Sequence, residues 1–317
     1  MKPKVLISWP LKSKSLEKFD PSIEFNCIPG QGDFYQESLE LIEHYDGLMA
    51  LGLKVDRALI DKGKSLKVIS NFGVGYDKIN VAYAKHMGIR VSNTPLSVTT
   101  PTAHLTIGLM LSVMRKIVYL DTQIKSKLLK SFDEARIKGE SLTGRTLGIV
   151  GFGRIGKAVA VLAQAFGMDV IYHKRTPLAP EEEADLNVNY RPLSDLMRDA
   201  DVVTLHLPLN ENTQSIIREE ELSMMKQSAY LINTARGGVV DETALLEALR
   251  NKTIAGAGLD VFWDEPHIPT AFRDLDNVVL TPHIGTNTGQ ARQAMMIEAH
   301  DNISSFFKYG DVISRVV

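Results

Sequence analysis

Three short apolar runs in this 317-residue sequence each lead to a polar residue with chemistry to offer. Leu231-Ile232-Asn233 runs into Thr234-Ala235-Arg236-Gly237-Gly238, Gly258-Leu259-Asp260 leads through Trp263 to Glu265, and Leu280-Thr281-Pro282 leads to His283-Ile284-Gly285. A guanidinium keeps its charge at any working pH and grips a carboxylate in a planar two-point fork. An imidazole exchanges protons near neutrality, and a neighbouring carboxylate orients it and favours its charged form. Reducing a 2-oxo acid needs a cation for the carboxylate and carbonyl, an acid for the developing alkoxide, and a partner that holds that acid in place. Arg236, His283 and Glu265 fill these places in turn. Ligands of open α/β sheets bind at the carboxyl ends of strands, which is where all three fall if the apolar runs are strands.

Such a reduction also needs a hydride donor, and residues 146–160, TLGIVGFGRIGKAVA, are built to hold one. A β-branched run meets Gly151, Gly153 and Gly156 and passes into an amphipathic helical pattern, the order strand, turn, helix. A dinucleotide turn uses one glycine for the bend, a second for close approach of the pyrophosphate and a third for helix–strand contact. The helix start then offers N–H groups and partial positive charge to the phosphates. The next strand should end on an acid for a ribose hydroxyl or on a cation for a 2′-phosphate. It ends Tyr172-His173-Lys174-Arg175, without an acid. Lys174 and Arg175, with His173 beside them, therefore favour NADP(H), with NAD(H) as the alternative; read without a ligand, they are solvated loop charges.

The elements that must carry these residues form two alternating series. Residues 4–8, 47–50, 67–71 and 89–91 read as strands, with helical patterns at 36–44 and 56–62 between them. A long amphipathic helix is expected from Pro101 to about Leu120, opened by Thr99 and Thr100, and residues 125–143 read as a connector. Strands are then expected at 146–150, 169–173, 202–206, 229–233, 254–259 and 278–280, with helices at 155–166, 193–198 and 242–250 and a last one at 289–307. Strand–helix alternation with right-handed crossovers gives an α/β fold with doubly wound parallel sheets. Lys and Arg number 36 against 38 Asp and Glu, so no global field draws the chain to nucleic acid or to an anionic membrane. The single cysteine, Cys27, excludes an internal disulfide framework, and no leader or membrane-length apolar run is evident, so a cytoplasmic protein is expected.

The motifs, taken in order, resemble the D-isomer-specific 2-hydroxyacid dehydrogenase family, and within it the glyoxylate/hydroxypyruvate reductases. The resemblance rests on Gly73-Val74-Gly75-Tyr76-Asp77, GIRVSNTP at 88–95, TGRTLGIVGFGRIG at 143–156, His206-Leu207-Pro208-Leu209, NTARG at 233–237, residues 258–266 and Pro282-His283-Ile284-Gly285. It implies two Rossmann-like domains, with a nucleotide domain at 98–286 inserted into a substrate domain made of 1–97 and 287–317. It places the catalytic set on Arg236, Glu265 and His283. It implies that Val74 and Gly75 present backbone N–H groups to the substrate carboxylate, with Gly73 beside them in the substrate-binding loop. Arg154 and Ile155 would lie under the pyrophosphate, Asp260 would bind the nicotinamide amide, and His206, Pro208, Thr234 and Gly285 would join them around the nucleotide. Leu51 lies in the stretch that shapes the substrate pocket and suits a small oxo acid.

The same resemblance implies a homodimer, a small-molecule 2-oxo or 2-hydroxy acid as substrate, no metal, and closure of the two domains over a cleft. Plainer readings stand beside some of these roles: a loop cap for Asp260, a buried strand-end histidine for His206, an ordinary turn for residues 73–77. At the start of the long helix, Ala103-His104 replaces the family's alanine and acid, and His104 reads as a helix-surface residue. Two other functions stay open on the sequence: an NADH-linked dehydrogenase of another D-2-hydroxy acid, and a nucleotide-sensing protein like the family's corepressor relatives.

Overall fold

The structure is a computed structural model and describes residues 2–11, 16–129, 131 and 137–317. The chain divides into two compact units, Met1–Val98 with Thr288–Val317, and Thr99–Asn287. Each is an α/β unit around a parallel sheet.

In the first unit, β1 (Lys4–Ile7), β2 (Glu24–Cys27), β3 (Gly47–Ala50), β4 (Val68–Asn71) and β5 (Arg90–Ser92) pair in the order β2-β1-β3-β4-β5. Strands β3 and β4 are buried at every position, as parallel strands covered on both faces must be. The edge strand β2 escaped the sequence reading. Its residues, Glu-Phe-Asn-Cys, are only partly buried and carry little apolar signal. Helices Phe34–Leu41, Arg57–Lys62 and Val81–His86 start on Asp33, Asp56 and Asn80, whose side chains accept backbone N–H bonds in the first turn. The helix Gly289–Tyr309 is capped by Thr288 and stopped by Gly310 at φ +82°. It runs against the strands: the Ala299 carbonyl accepts from Ser70 in β4, and Phe307 lies beside Gly47 at the start of β3. Its first turn therefore sits at the strands' carboxyl ends, where the Arg292 guanidinium stacks 5.6 Å over the ring of Phe72. The fully buried Asn302 ties this helix to the Asn93 carbonyl and to the Ser314 N–H.

In the second unit, β6 (Thr146–Val150), β7 (Asp169–His173), β8 (Asn189–Tyr190), β9 (Val202–Leu205), β10 (Tyr230–Asn233), β11 (Gly256–Leu259) and β12 (Val278–Leu280) form a parallel sheet in the order β12-β11-β10-β9-β6-β7-β8. The winding reverses at β6, which pairs with β7 on one side and β9 on the other, so the glycine turn after β6 lies at the topological switch point. Successive β6 residues serve the two faces: Leu147 and Ile149 join a core with Met110, Val159 and Ala163, while Val150 joins one with Leu196, Leu222 and Leu245. The sheet has one strand more than the six expected, because the two-residue β8 is too short to show in a pattern.

The long helix differs from expectation. It is two helices, Thr99–Met114 and Ile117–Lys125, meeting at a 60° bend. Lys116 takes a left-handed conformation at φ +55°, and the returning chain seals the break, with the Glu140 N–H donating to the Met114 carbonyl at 2.8 Å. Gly139 allows this approach, since a Cβ there would lie 2.9 Å from that carbonyl oxygen. Of the connector expected at 125–143, residues 130 and 132–136 lie outside the described residues. Among the described residues no single helix is long and apolar enough to cross a membrane.

Candidate active site

Three strand-end loops of the second unit bring the candidate catalytic groups together. His283 Nδ1 lies 2.7 Å from Glu265 Oε2, and the Phe262 N–H donates to the other carboxylate oxygen at 3.1 Å. Burial opposes ionisation of Glu265, but the His283 hydrogen bond and charge, the Phe262 amide and the Arg236 charge prevail and hold its carboxyl below the usual range. The arginine loop is fixed from within: Asn233 accepts from the Ala235 N–H and donates to the Arg236 carbonyl. It is also pressed against the glutamate loop, because a Cβ on Gly237 would fall 2.0 Å from the Phe262 carbonyl carbon. Only glycine permits that approach, and it brings the backbone beside Arg236 against the loop that carries Glu265.

Asp260 holds the third loop. Its Oδ1 accepts from the Thr281 hydroxyl at 2.6 Å and from the Ile284 N–H at 2.8 Å, and its Oδ2 accepts from the Gly285 N–H at 2.8 Å. The His283 N–H donates to the Asp260 carbonyl at 2.8 Å. Burial raises the Asp260 carboxyl above its ordinary value, against the pull of these donors and of His283. His283 itself sits at φ +52°, a conformation uncommon outside glycine, and the Asp260 bonds on either side keep it there. Asp260 thus caps this loop, with Gly285 among its donors.

The glycine turn has the shape a dinucleotide requires. Gly151 is at φ +96°, with the His206 carbonyl oxygen 2.5 Å from where a Cβ would stand, and a Cβ on Gly156 would lie 2.5 Å from the Gly151 carbonyl oxygen. Gly153 is different: it is extended, exposed, and has no protein atom within 4 Å of its Cβ position. Neither conformation nor neighbours require glycine there, so the open space is what a bound pyrophosphate would use. Gly153 is also the N-cap of helix Arg154–Ala165 and has no side chain to cap the first turn, which leaves that turn's N–H groups, those of Arg154 and Ile155 included, for a phosphate. The residues fit the group.

At the end of β7, His173 bonds through Nδ1 to the Arg191 carbonyl, Lys174 is half-buried and Arg175 is exposed. Two residues the sequence did not single out support this end. Phe152, inside the glycine turn, stacks on the fully buried Tyr172 with ring centroids 4.4 Å apart, and the Tyr172 hydroxyl accepts from the Leu178 N–H at 2.8 Å. His206 bonds through Nε2 to Thr204, while burial drives its pKa down to about 3, so it is a neutral imidazole. Its Nδ1 is buried and has no hydrogen-bond partner among the described residues. Thr234 is buried and shares a hydrogen bond with Thr106, whereas Pro208 is exposed and its carbonyl accepts from Thr213. His104 is exposed on its helix, as a surface position should be.

The remaining residues lie in the first unit. Leu51 follows β3 and donates its N–H to the buried Ser8 hydroxyl at 3.1 Å. After β4, the Asn71 side-chain amide donates to the carbonyls of Gly73 and Gly75, and Asn93 donates to the carbonyl of Val74. With three successive carbonyls tied back, the N–H groups of Val74 and Gly75 have no hydrogen-bond partner among the described residues. A backbone so arranged can receive an anion.

Comparison with known proteins agrees with this arrangement. Residues 107–285 match the family model for the D-isomer specific 2-hydroxyacid dehydrogenase NAD binding domain. The chain is 40% identical to the glyoxylate reductase of Thermococcus litoralis, over 100% of this chain and 97% of that protein. The NADPH-dependent glyoxylate/hydroxypyruvate reductase of Sinorhizobium meliloti, solved with NADP and malonate, superposes with a TM-score of 0.88 at 33% identity, covering 100% of this chain and 97% of the other. A glyoxylate reductase from Paecilomyes thermophila gives a TM-score of 0.89 at 32% identity over 99% and 98% of the two chains. With matching motifs, a matching fold and a glycine turn shaped for a nicotinamide dinucleotide, the chain belongs to the D-isomer-specific 2-hydroxyacid dehydrogenases and is an oxidoreductase of 2-oxo and 2-hydroxy acids.

Proposed function

We propose that the chain reduces glyoxylate and hydroxypyruvate to the corresponding 2-hydroxy acids, with NADPH preferred over NADH. The observation that carries the chemistry is the hydrogen bond of His283 to Glu265, with the Arg236 loop packed at Gly237 against the loop that carries the glutamate. Gly151, Gly153, Arg154, Ile155 and Gly156 hold the pyrophosphate; Lys174 and Arg175, with His173, take the 2′-phosphate; His206, Pro208, Thr234, Asp260 and Gly285 surround the rest of the nucleotide. When bound, the reduced nicotinamide supplies the hydride. Arg236 and the N–H groups of Val74 and Gly75 bind the substrate carboxylate, and Arg236 also polarises the carbonyl. Leu51 stands by the small substituent. As negative charge develops on the carbonyl oxygen, the His283 imidazolium gives it a proton from Nε2, while Glu265 holds Nδ1 and stabilises the charged ring. The NADP complex of the Sinorhizobium relative and the absence of an acid at 173–176 support the cofactor preference. The lone Cys27, free in the structure, fits a reducing cytoplasm, and two copies of the chain are expected to form the working dimer.

The test is a panel of 2-oxo acids with both cofactors. The expected result is the highest kcat/KM for glyoxylate or hydroxypyruvate with NADPH, and a bulkier branched 2-oxo acid leading with NADH overturns it. In the same assay His283→Ala should lower kcat about 10²- to 10⁴-fold while NADPH affinity stays within about twofold. Retention of wild-type kcat removes His283 as the acid.

A further inference from the structure

The two cofactor-holding pieces of the second unit, the glycine turn after β6 and the loop after β7, meet on one side chain. Tyr172 is fully buried at the next-to-last position of β7. Phe152, between Gly151 and Gly153, lies against one region of its ring at 4.4 Å, and Tyr190 of β8 meets it edge-on at 5.7 Å. The hydroxyl reaches past the end of the strand. It accepts the Leu178 N–H at 2.8 Å and donates to Glu183 Oε1 at 2.5 Å, in the first turn of the helix Pro180–Leu186. The segment from His173 to Leu178 is therefore a closed loop, fastened at one end by the strand and at the other by the phenol one residue before it. Lys174 and Arg175 are inside that loop.

A phenol hydroxyl can both donate and accept; here it does both, with two partners from the far side of the loop. Burial, then the Glu183 hydrogen bond and charge, push its pKa up to about 12, so it remains a donor to Glu183 across the working pH range. Two long cationic side chains on an open loop would lose conformational freedom on binding a phosphate. Fixing the loop beforehand removes part of that cost. It does so only for a ligand that reaches the loop.

We infer that Tyr172 is a positioning residue for cofactor choice: by closing the loop 173–178 against the glycine turn, it sets Lys174 and Arg175 for a 2′-phosphate and so favours NADPH over NADH. This rests on the assignment of Lys174 and Arg175 to that phosphate. A purely structural role would weaken both nucleotides alike; a positioning role changes their ratio.

The experiment is equilibrium titration of the full-length protein with NADPH and with NADH, without substrate, for wild type, Arg175→Ala and Tyr172→Phe. Arg175→Ala should raise the NADPH Kd tenfold or more and leave NADH within about twofold. Tyr172→Phe, which keeps the ring and its stacking, should raise the NADPH Kd about three- to tenfold, as loss of one or two hydrogen bonds predicts, with NADH again within about twofold. Equal losses for both nucleotides, or no change in Tyr172→Phe beside a selective Arg175→Ala, overturn the inference and leave the phosphate assignment standing. A non-selective Arg175→Ala overturns the assignment and the inference with it. Should Tyr172→Phe not fold, hydrogen exchange in the wild type decides: the Leu178 amide must be protected without nucleotide, and free exchange there ends the proposal.

Discussion

Each unit of the molecule places a glycine-containing loop at the carboxyl end of an interior strand, and on the function proposed above the two loops would receive an anion by opposite means. In the first unit the loop after β4 is tied by side chains. Asn71 and Asn93 hold the carbonyls of Gly73, Val74 and Gly75, and the N–H groups of Val74 and Gly75 are what is left. In the second unit the loop after β6 is set by contact: Gly151 packs on the His206 carbonyl and Gly156 on the Gly151 carbonyl, with Gly153 left open at a helix start. A small carboxylate needs a pair of donors on a short stretch of backbone. A pyrophosphate needs room as well as donors, and a helix N-terminus supplies partial charge over a wider area. Side-chain ties make a narrow site; missing side chains make a broad one.

Substitutions test that contrast. Gly151→Ala should have the largest effect, since the new Cβ meets a carbonyl 2.5 Å away at φ +96°. A loss of more than about 3 kcal/mol in chemical denaturation is expected, and a stability near wild type would show that contact does not set this loop. Gly153→Ala should unfold within about 1 kcal/mol of wild type, as an N-cap change does, yet weaken NADPH and NADH at least tenfold in titration. Should nucleotide affinity survive, the open space at Gly153 has another use. Asn71→Ala should raise the KM for glyoxylate about tenfold and leave the NADPH Kd unchanged, reporting on the tied loop alone. Equal damage to both ligands would erase the distinction between the loops.

The smallest effect concerns pH. The Glu265 carboxyl is held below its unfolded value near 4.5, so its contribution to stability is present above that pH and is lost as pH falls through the folded value. Glu265→Gln should flatten thermal stability below about pH 4.5 by less than about 1 kcal/mol, measured by circular dichroism melts from pH 3 to 7. No change in slope would mean that the carboxyl is not held down by its neighbours.

What could be read from the sequence was what one strand and the residues just after it encode. β9, Val-Val-Thr-Leu, is buried at every position and stands out as an apolar run, and the polar residues beyond β10, β11 and β12 then mark the sheet's working edge. Of the four edge strands, β5 and β12 were legible, but β2 and β8 were not, because they are short and only partly buried and their pattern is that of a loop. The break at Lys116 needs the Glu140 N–H on the Met114 carbonyl, a bond spanning 26 positions of sequence, and no local periodicity reports that. Supporting residues were hidden for a similar reason. Tyr172 looks like any strand aromatic until its hydroxyl is seen on Leu178 and Glu183, and Asn71 looks like a strand-end polar residue until its amide is found on two carbonyls. Asp260 followed a motif, but its three bonds to residues 281–285 show how the strain at His283 is sustained.

The contact of Gly237 on Phe262 bears on how such a chain can diverge. Two loops with interlocked backbones tolerate an insertion in neither unless both change together, so the segments around Arg236 and Glu265 are expected to keep their lengths over long descent. The segment 173–178 is fastened to itself through Tyr172, whose hydroxyl holds the Leu178 N–H. It can be exchanged residue by residue. Lineages should therefore find it easier to trade one nucleotide for another than to alter the chemistry performed with it.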